Sequence, residues 1–259
     1  MKEQLWDACA DGEIEEVRKL LRNSQINNSY QDEMNNYQKP LDYAFFIACI
    51  NGQVEVAELL LNDSRVDVNN LNRGQVTPFW IACQERNIEI IELLLNDERV
   101  DINLAESRNG TTPLFFCCSQ GYIEIVKLLL NDERLDVNKS TSSYTPLWIA
   151  CQNGHIDIVK LLLNDERVDV NKADNHGPTP FYLACSKGQI DIVRLLFNDQ
   201  KVDVNKPLIP FPYNTCWTPF YIACESGYIN IVLLFLENSR GNYFFYFSTV
   251  ILLKDCLIK

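Results

Sequence analysis

TPFWIAC, residues 77–83, decides the fold because the chain keeps returning to it. It comes back as TPLFFCC at 112–118, TPLWIAC at 145–151, TPFYLAC at 179–185 and TPFYIAC at 218–224. A variant, YAFFIAC, stands at 43–49, and a remnant, EQLWDAC, opens the chain at 3–9. Successive starts are 40, 34, 35, 33, 34 and 39 residues apart. Each copy is followed by a short polar stretch, usually with glycine, then by an apolar block such as IEIVKLLL (123–130), and closes on NDERxDxN. A fixed period of this length is the mark of a repeat architecture.

One period reads as two helices. Threonine is a good N-cap and proline is tolerated at the first helical position, so Thr-Pro starts the first helix. That helix ends near Gly12, Gly52, Gly121, Gly154, Gly188 or Gly227, where a turn can use a positive φ. The third copy has Arg86-Asn87 instead, which predicts a positive φ at one of the two. The second helix carries Glu15, Glu55, Glu89, Glu124, Asp157 or Asp191 in its first turn, on the positive end of its dipole. Lys127, Lys160 and Arg194 follow three residues after the acid, which predicts i,i+3 pairs. It stops at Asn62, Asn96, Asn131, Asn164 or Asn198, where asparagine is expected to adopt the left-handed conformation. No single pair of helices buries its apolar faces, whereas stacked pairs share a continuous core. The expected fold is an all-α helical repeat solenoid with loop or hairpin fingers along one edge.

These residues resemble the ankyrin repeat, whose pattern reads TPLHxAA, then GHxEIVKLLL, then a GADVN-like end. The resemblance covers 1–238 as one domain, with about seven units near 3–38, 43–76, 77–111, 112–144, 145–178, 179–217 and 218–238. Two departures are systematic. The histidine two residues after the proline is replaced by Trp6, Phe46, Trp80, Phe115, Trp148, Tyr182 and Tyr221, and the second alanine of each copy by cysteine. The aromatic row is expected to pack between neighbouring units, because aromatics supply large buried area.

Composition narrows the function. The 259 residues are 47% hydrophobic and carry a net charge of −12. That charge speaks against nucleic acid, whose phosphates need a positive surface. The start, MKEQLWDACADGEIEE, shows no secretory signal, and no apolar run reaches the length of a membrane span. Sequons start at Asn27, Asn62, Asn109 and Asn138 and read as chance matches in an asparagine-rich chain. Ten cysteines occur without a CxxC. Seven of them (Cys9, Cys49, Cys83, Cys118, Cys151, Cys185 and Cys224) hold one equivalent position. Stacked helices place such positions about 8–10 Å apart, too far for one zinc or for a disulfide. They are expected to fill the core, as is Cys117, and to favour a reducing compartment. The two histidines, His155 and His176, support no catalytic arrangement. NDERVDVN lacks the glycine and distant glutamate of a calcium loop. No cofactor, metal site or enzyme activity is expected.

What varies between units is the finger tips and the exits of the first helices. The resemblance implies that these face a shared concave surface used for partner proteins. The candidate residues are Arg73, Gln75, Glu85, Arg108, Asn109, Gln120, Tyr144, Asn153, Asn175, His176 and Lys187. Arg73, Arg108 and Tyr144 rank highest because arginine and tyrosine dominate binding hot spots. The last finger, PLIPFPYNTCW (207–217), is longer than its peers and carries Phe211 and Tyr213. It is either a stiff binding loop or a cover folded onto the stack.

At the first end, Asp7, Glu16 and Lys19 stand where later units are apolar, as a polar cap requires. A long polar loop, 23–42, is expected to be flexible, and the helix after it lacks the Thr-Pro cap. At the other end the tail 239–259, containing GNYFFYFSTVILLKDCLIK, leaves the pattern and is strongly apolar. It reads as an irregular cap, as the product of where the reading frame ended, or as a membrane contact. The leading expectation is a monomeric, non-catalytic, cytoplasmic or nuclear scaffold for a partner protein. The alternatives are an adaptor tethered to a membrane by the tail and a regulatory subunit of an enzyme.

Overall fold

A computed structural model describes residues 2–23, 26, 30–31, 37–139, 144–173, 177–208 and 217–238. Its helices run in pairs: α1 (Lys2–Asp11) and α2 (Ile14–Leu21), α3 (Pro40–Ile50) and α4 (Val54–Leu61), α5 (Pro78–Glu85) and α6 (Ile88–Leu95), α7 (Pro113–Gln120) and α8 (Ile123–Leu130). The remaining pairs are α9 (Pro146–Asn153) and α10 (Ile156–Asn164), α11 (Pro180–Ser186) and α12 (Ile190–Asn198), and α13 (Pro219–Glu225) and α14 (Ile229–Glu237). Between α2 and α3 a two-residue antiparallel pairing joins β1 (Tyr30–Gln31) to β2 (Tyr37–Gln38). The rest of the 23–42 loop, where flexibility was expected, is mostly outside the described residues.

The chain divides into two compact units, one of residues 1–117 and 127–136, the other of 118–126 and 137–259. In the first, α3 packs between α1 and α5, and α4 between α2 and α6. In the second, α11 packs between α9 and α13, and α12 between α10 and α14. Each unit is an ankyrin-type all-α helical repeat stack.

The Thr-Pro starts behave as their chemistry demands. Thr77, Thr112, Thr145, Thr179 and Thr218 each accept, on Oγ1, the backbone N–H three residues on, at 3.0–3.2 Å. The helix α3 begins at Pro40, ahead of Tyr43, and its N-cap Lys39 makes no side-chain bond. At the first-helix exits, the six glycines named above have φ from +69° to +78°, and Arg86 takes the same conformation at +62°. A second reason holds glycine at Gly121: a Cβ there would lie 2.8 Å from Cε1 of His155, whose ring crosses from the next repeat.

The second helices end differently from expectation. Asn62 and Asn96 are right-handed (φ −79° and −76°), and Asn164 and Asn198 still belong to their helices. Asn62 instead donates from Nδ2 back to the carbonyl of Glu58 (3.0 Å), which completes the last turn without a left-handed residue. Helix ends leave carbonyls without partners, and here the NDER segment of the following repeat supplies the donors. Nη2 of Arg99 reaches Leu61 O (2.6 Å), and Nη2 of Arg134 reaches Leu95 O (2.7 Å). Lys201 reaches Leu163 O (2.8 Å). Each of the two arginines is held by the aspartate two residues before it, Asp97 or Asp132, at 2.6 Å.

The asparagine closing each period is a second tie. Oδ1 of Asn69 accepts from Asp101 N–H (2.8 Å) while its Nδ2 donates to Arg99 O (2.7 Å). Asn103 repeats this with Asp136 and Arg134, Asn138 with Asp169 and Arg167, and Asn171 with Asp203 and Lys201. At the head of the row the buried Asp42 takes the acceptor's place, receiving Asp67 N–H at 2.8 Å. NDERxDxN therefore recurs as inter-repeat fastening and is more than a connector.

The eight described cysteines are buried and unbridged. One adjacency escapes the one-cysteine-per-repeat argument. Cys117, the extra cysteine, hydrogen-bonds with Cys83; burial first, then this neighbour, hold the Cys83 thiol far above its ordinary range. The aromatic row is buried at Phe46, Trp80, Trp148 and Tyr182. Its indoles also anchor the fingers. Nε1 of Trp6, Trp80 and Trp148 donates to the carbonyls of Pro40, Thr111 and Pro178 at 3.0–3.1 Å. Burial, then the charge of Glu225, pushes the Tyr182 phenol up to about 12, so this position stays neutral.

Candidate partner-binding surface

In the first unit two fingers lie side by side. Asn72 opens a tight turn: its carbonyl accepts Gln75 N–H (2.9 Å) and its Oδ1 accepts Val76 N–H (3.1 Å). The turn requires a positive φ, and Gln75 supplies it at +63°, as Gly110 does at +67° in the next finger. That next finger is closed by Glu106, whose N–H donates to Thr111 O and whose carboxylate accepts Asn109 N–H, both at 3.0 Å. The two tips meet where Ser107 N–H donates to Gln75 O at 3.2 Å. Arg73, Gln75, Arg108 and Asn109 are all exposed along this joined ledge. Glu85, exposed at the exit of α5, accepts Gln84 Nε2 at 2.9 Å.

In the second unit the candidates gather at the first-helix exits. Asn153 donates from Nδ2 to Ser119 O (2.8 Å), and Gln120 donates to Ser119 Oγ (3.2 Å). His155 Nε2 meets the same Ser119 carbonyl at 3.1 Å. A groove of about 340 Å³ opens beside them, lined by Gly121, Ile123, Gly154, His155 and Asp157 among others. Lys187 is exposed at the end of α11. Tyr144 stacks on Trp148 with ring centroids 3.9 Å apart and remains 38% exposed, so one face is anchored and part of it is open. The last finger is closed at its neck by a two-way bond between Leu208 and Trp217, at 2.8 and 3.1 Å. Asn175, His176, Phe211 and Tyr213 lie outside the described residues.

Two residues outside the candidate set hold these surfaces together: Ser107, which fastens the tips, and Ser119, on which three side chains converge. Ser107 carries no signal in a single sequence, because its contact lies one period away; Ser119 stands beside Gln120 among the varying first-helix exits, but its contacts with Asn153 and His155 need the neighbouring repeat. Among the described residues no three His, Cys, Asp or Glu side chains are grouped to hold a metal ion. No helix among them is long and apolar enough to cross a membrane.

A family model of ankyrin repeats, three copies long, matches at 45–141, 98–174, 134–207 and 168–244. The chain belongs to the ankyrin-repeat family. Repeats of this family are generally protein–protein interaction modules and typically non-catalytic. No curated protein matches the chain.

Proposed function

We propose that the protein is a non-catalytic scaffold that binds a partner protein through its finger tips and first-helix exits. The observation that carries this is the ledge of the first unit. Two fingers joined through Ser107 and Gln75 present Arg73, Arg108 and Asn109 together. A surface already fixed loses less conformational freedom on association, and arginine is among the residues that dominate hot spots. In the second unit the half-open Tyr144 adds a rigid aromatic anchor. Buried, unbridged thiols fit a reducing compartment such as the cytoplasm.

The test is affinity capture with quantitative mass spectrometry, comparing wild type with an Arg73→Ala/Arg108→Ala/Tyr144→Ala variant. The reading expects a protein captured by wild type and depleted with the variant, at unchanged circular dichroism. A capture profile identical for both chains would refute binding through these residues.

A further inference from the structure

Among the described residues Asp42 is the one carboxyl buried in the fold, at 2% exposed; the other buried polar side chains are threonines that cap first helices. It stands in the first turn of α3, where its Oδ1 accepts Asp67 N–H and no donor reaches its Oδ2. An ion buried without its full set of donors is costly, and such a group tends to give up its charge instead.

The asparagine row shows what belongs opposite the second oxygen. Each asparagine accepts an N–H on Oδ1 and donates from Nδ2 to the carbonyl two residues before that N–H. The pairs are Asp101 and Arg99 for Asn69, and Asp136 and Arg134 for Asn103. They are Asp169 and Arg167 for Asn138, and Asp203 and Lys201 for Asn171. For Asp42 the accepted N–H is that of Asp67, so the matching carbonyl is that of Arg65. An ionised carboxyl has no hydrogen to offer a carbonyl, whereas the protonated acid has one. We propose that Asp42 closes the head of this row as the neutral acid, its Oδ2–H donating to the Arg65 carbonyl, and that loss of the proton loosens the joint. The joint ties two repeats, because the Arg65 side chain donates from Nη2 to Leu21 O (3.0 Å) and from Nη1 to Asn23 O (3.4 Å) at the end of α2.

The surroundings favour the neutral form. Burial, the largest influence, raises the Asp42 carboxyl above its ordinary range. The Asp67 N–H and the charge of Lys39, the N-cap of α3, pull it down, and the charge of Asp67 pushes it up again. Among the described residues no charge acts on it from α1 or α5, the other helices packed on α3. The folded value lies above the unfolded one, about 3.9. The contribution to stability is therefore complete below the unfolded value and is lost as pH rises through the folded value.

The test follows the Asp42 carboxyl carbon and the Arg65 carbonyl carbon by NMR in the full chain as pH is raised. Urea denaturation of wild type and Asp42→Asn covers the same range, since asparagine reproduces the neutral acid and has no proton to lose. The proposal expects Asp42 to titrate above Asp63, Asp97 and Asp165, which hydrogen bonds from Arg65, Arg99 and Arg167 hold low. It expects the Arg65 carbonyl to shift with the same midpoint, and Asp42→Asn to gain stability over wild type as pH rises through it. A midpoint at or below about 3.9 would overturn the proposal. An Arg65 carbonyl that does not follow Asp42 would overturn the donation to it. An asparagine variant that is less stable than wild type at neutral pH, fails to fold there, or differs from wild type equally at every pH would also overturn it.

Discussion

Arg86 and Gln75 hold backbone conformations that glycine takes elsewhere in the chain, at φ +62° and +63°. The left-handed conformation costs a residue with a side chain about 1–2 kcal/mol, while glycine loses about 0.5–1 kcal/mol more chain entropy on folding. Arg86→Gly and Gln75→Gly are each expected to raise the unfolding free energy by about 0.5–1 kcal/mol in urea titrations. A loss of stability at both would show that their side chains matter more than their backbones. Arg86 was legible in the sequence because six equivalent positions are glycine. Gln75 was not, because Gly74 beside it looks like the left-handed residue and does not adopt that conformation. Cys117 was likewise read correctly as core, but its bond to Cys83 needs a neighbour one period away.

Helix starts were legible for a local reason: threonine, proline and the capped N–H stand within three residues of one another. The ends of the second helices were misread because their partners are remote. Leu61 and Arg99 belong to different repeats, and nothing short of the fold brings them together. The clip has a pH signature. The hydrogen bond from Arg99 is the main cause holding the Asp97 carboxyl below its usual range. An unfolded aspartate titrates near about 3.9. The pair therefore stabilises the fold fully above that pH, and this contribution is lost as pH falls through the lower folded value. Arg99→Met is expected to cost about 1 kcal/mol at neutral pH, discounted for exposure. The cost should shrink in acid but persist in part, because the bond to the Leu61 carbonyl is lost at any pH. Denaturation series across that range check this; an equal cost throughout would mean that Asp97 contributes nothing through its charge.

Over the whole molecule the period, the helix pairs and the core were legible from a sequence that repeats itself, because equivalent positions vote together. The proposed binding surface was legible only as the set of positions that differ between copies. The joined fingers and the convergence on Ser119 came from the structure alone. Burial of the cysteine row makes a molecule-wide prediction. Desolvation pushes the Cys9 thiol up to about 12 and raises Cys49, Cys151 and Cys185 as well. The eight described cysteines of the chain's ten are buried, so a thiol-reactive dye should label at most Cys216 and Cys256 in the native protein and the others only on unfolding. A native count above two would show that the repeats open. The central claim is the finger surface, and the most direct measurement is calorimetric titration of the captured partner into two variants. Arg73→Ala/Arg108→Ala alters the joined tips, and Glu92→Ala/Glu133→Ala alters the groove between α6 and α8. Binding through the fingers predicts an affinity at least about tenfold weaker for the first, roughly 1.4 kcal/mol, and unchanged for the second. Equal affinity for the finger variant and wild type, or a loss confined to the groove variant, would contradict it.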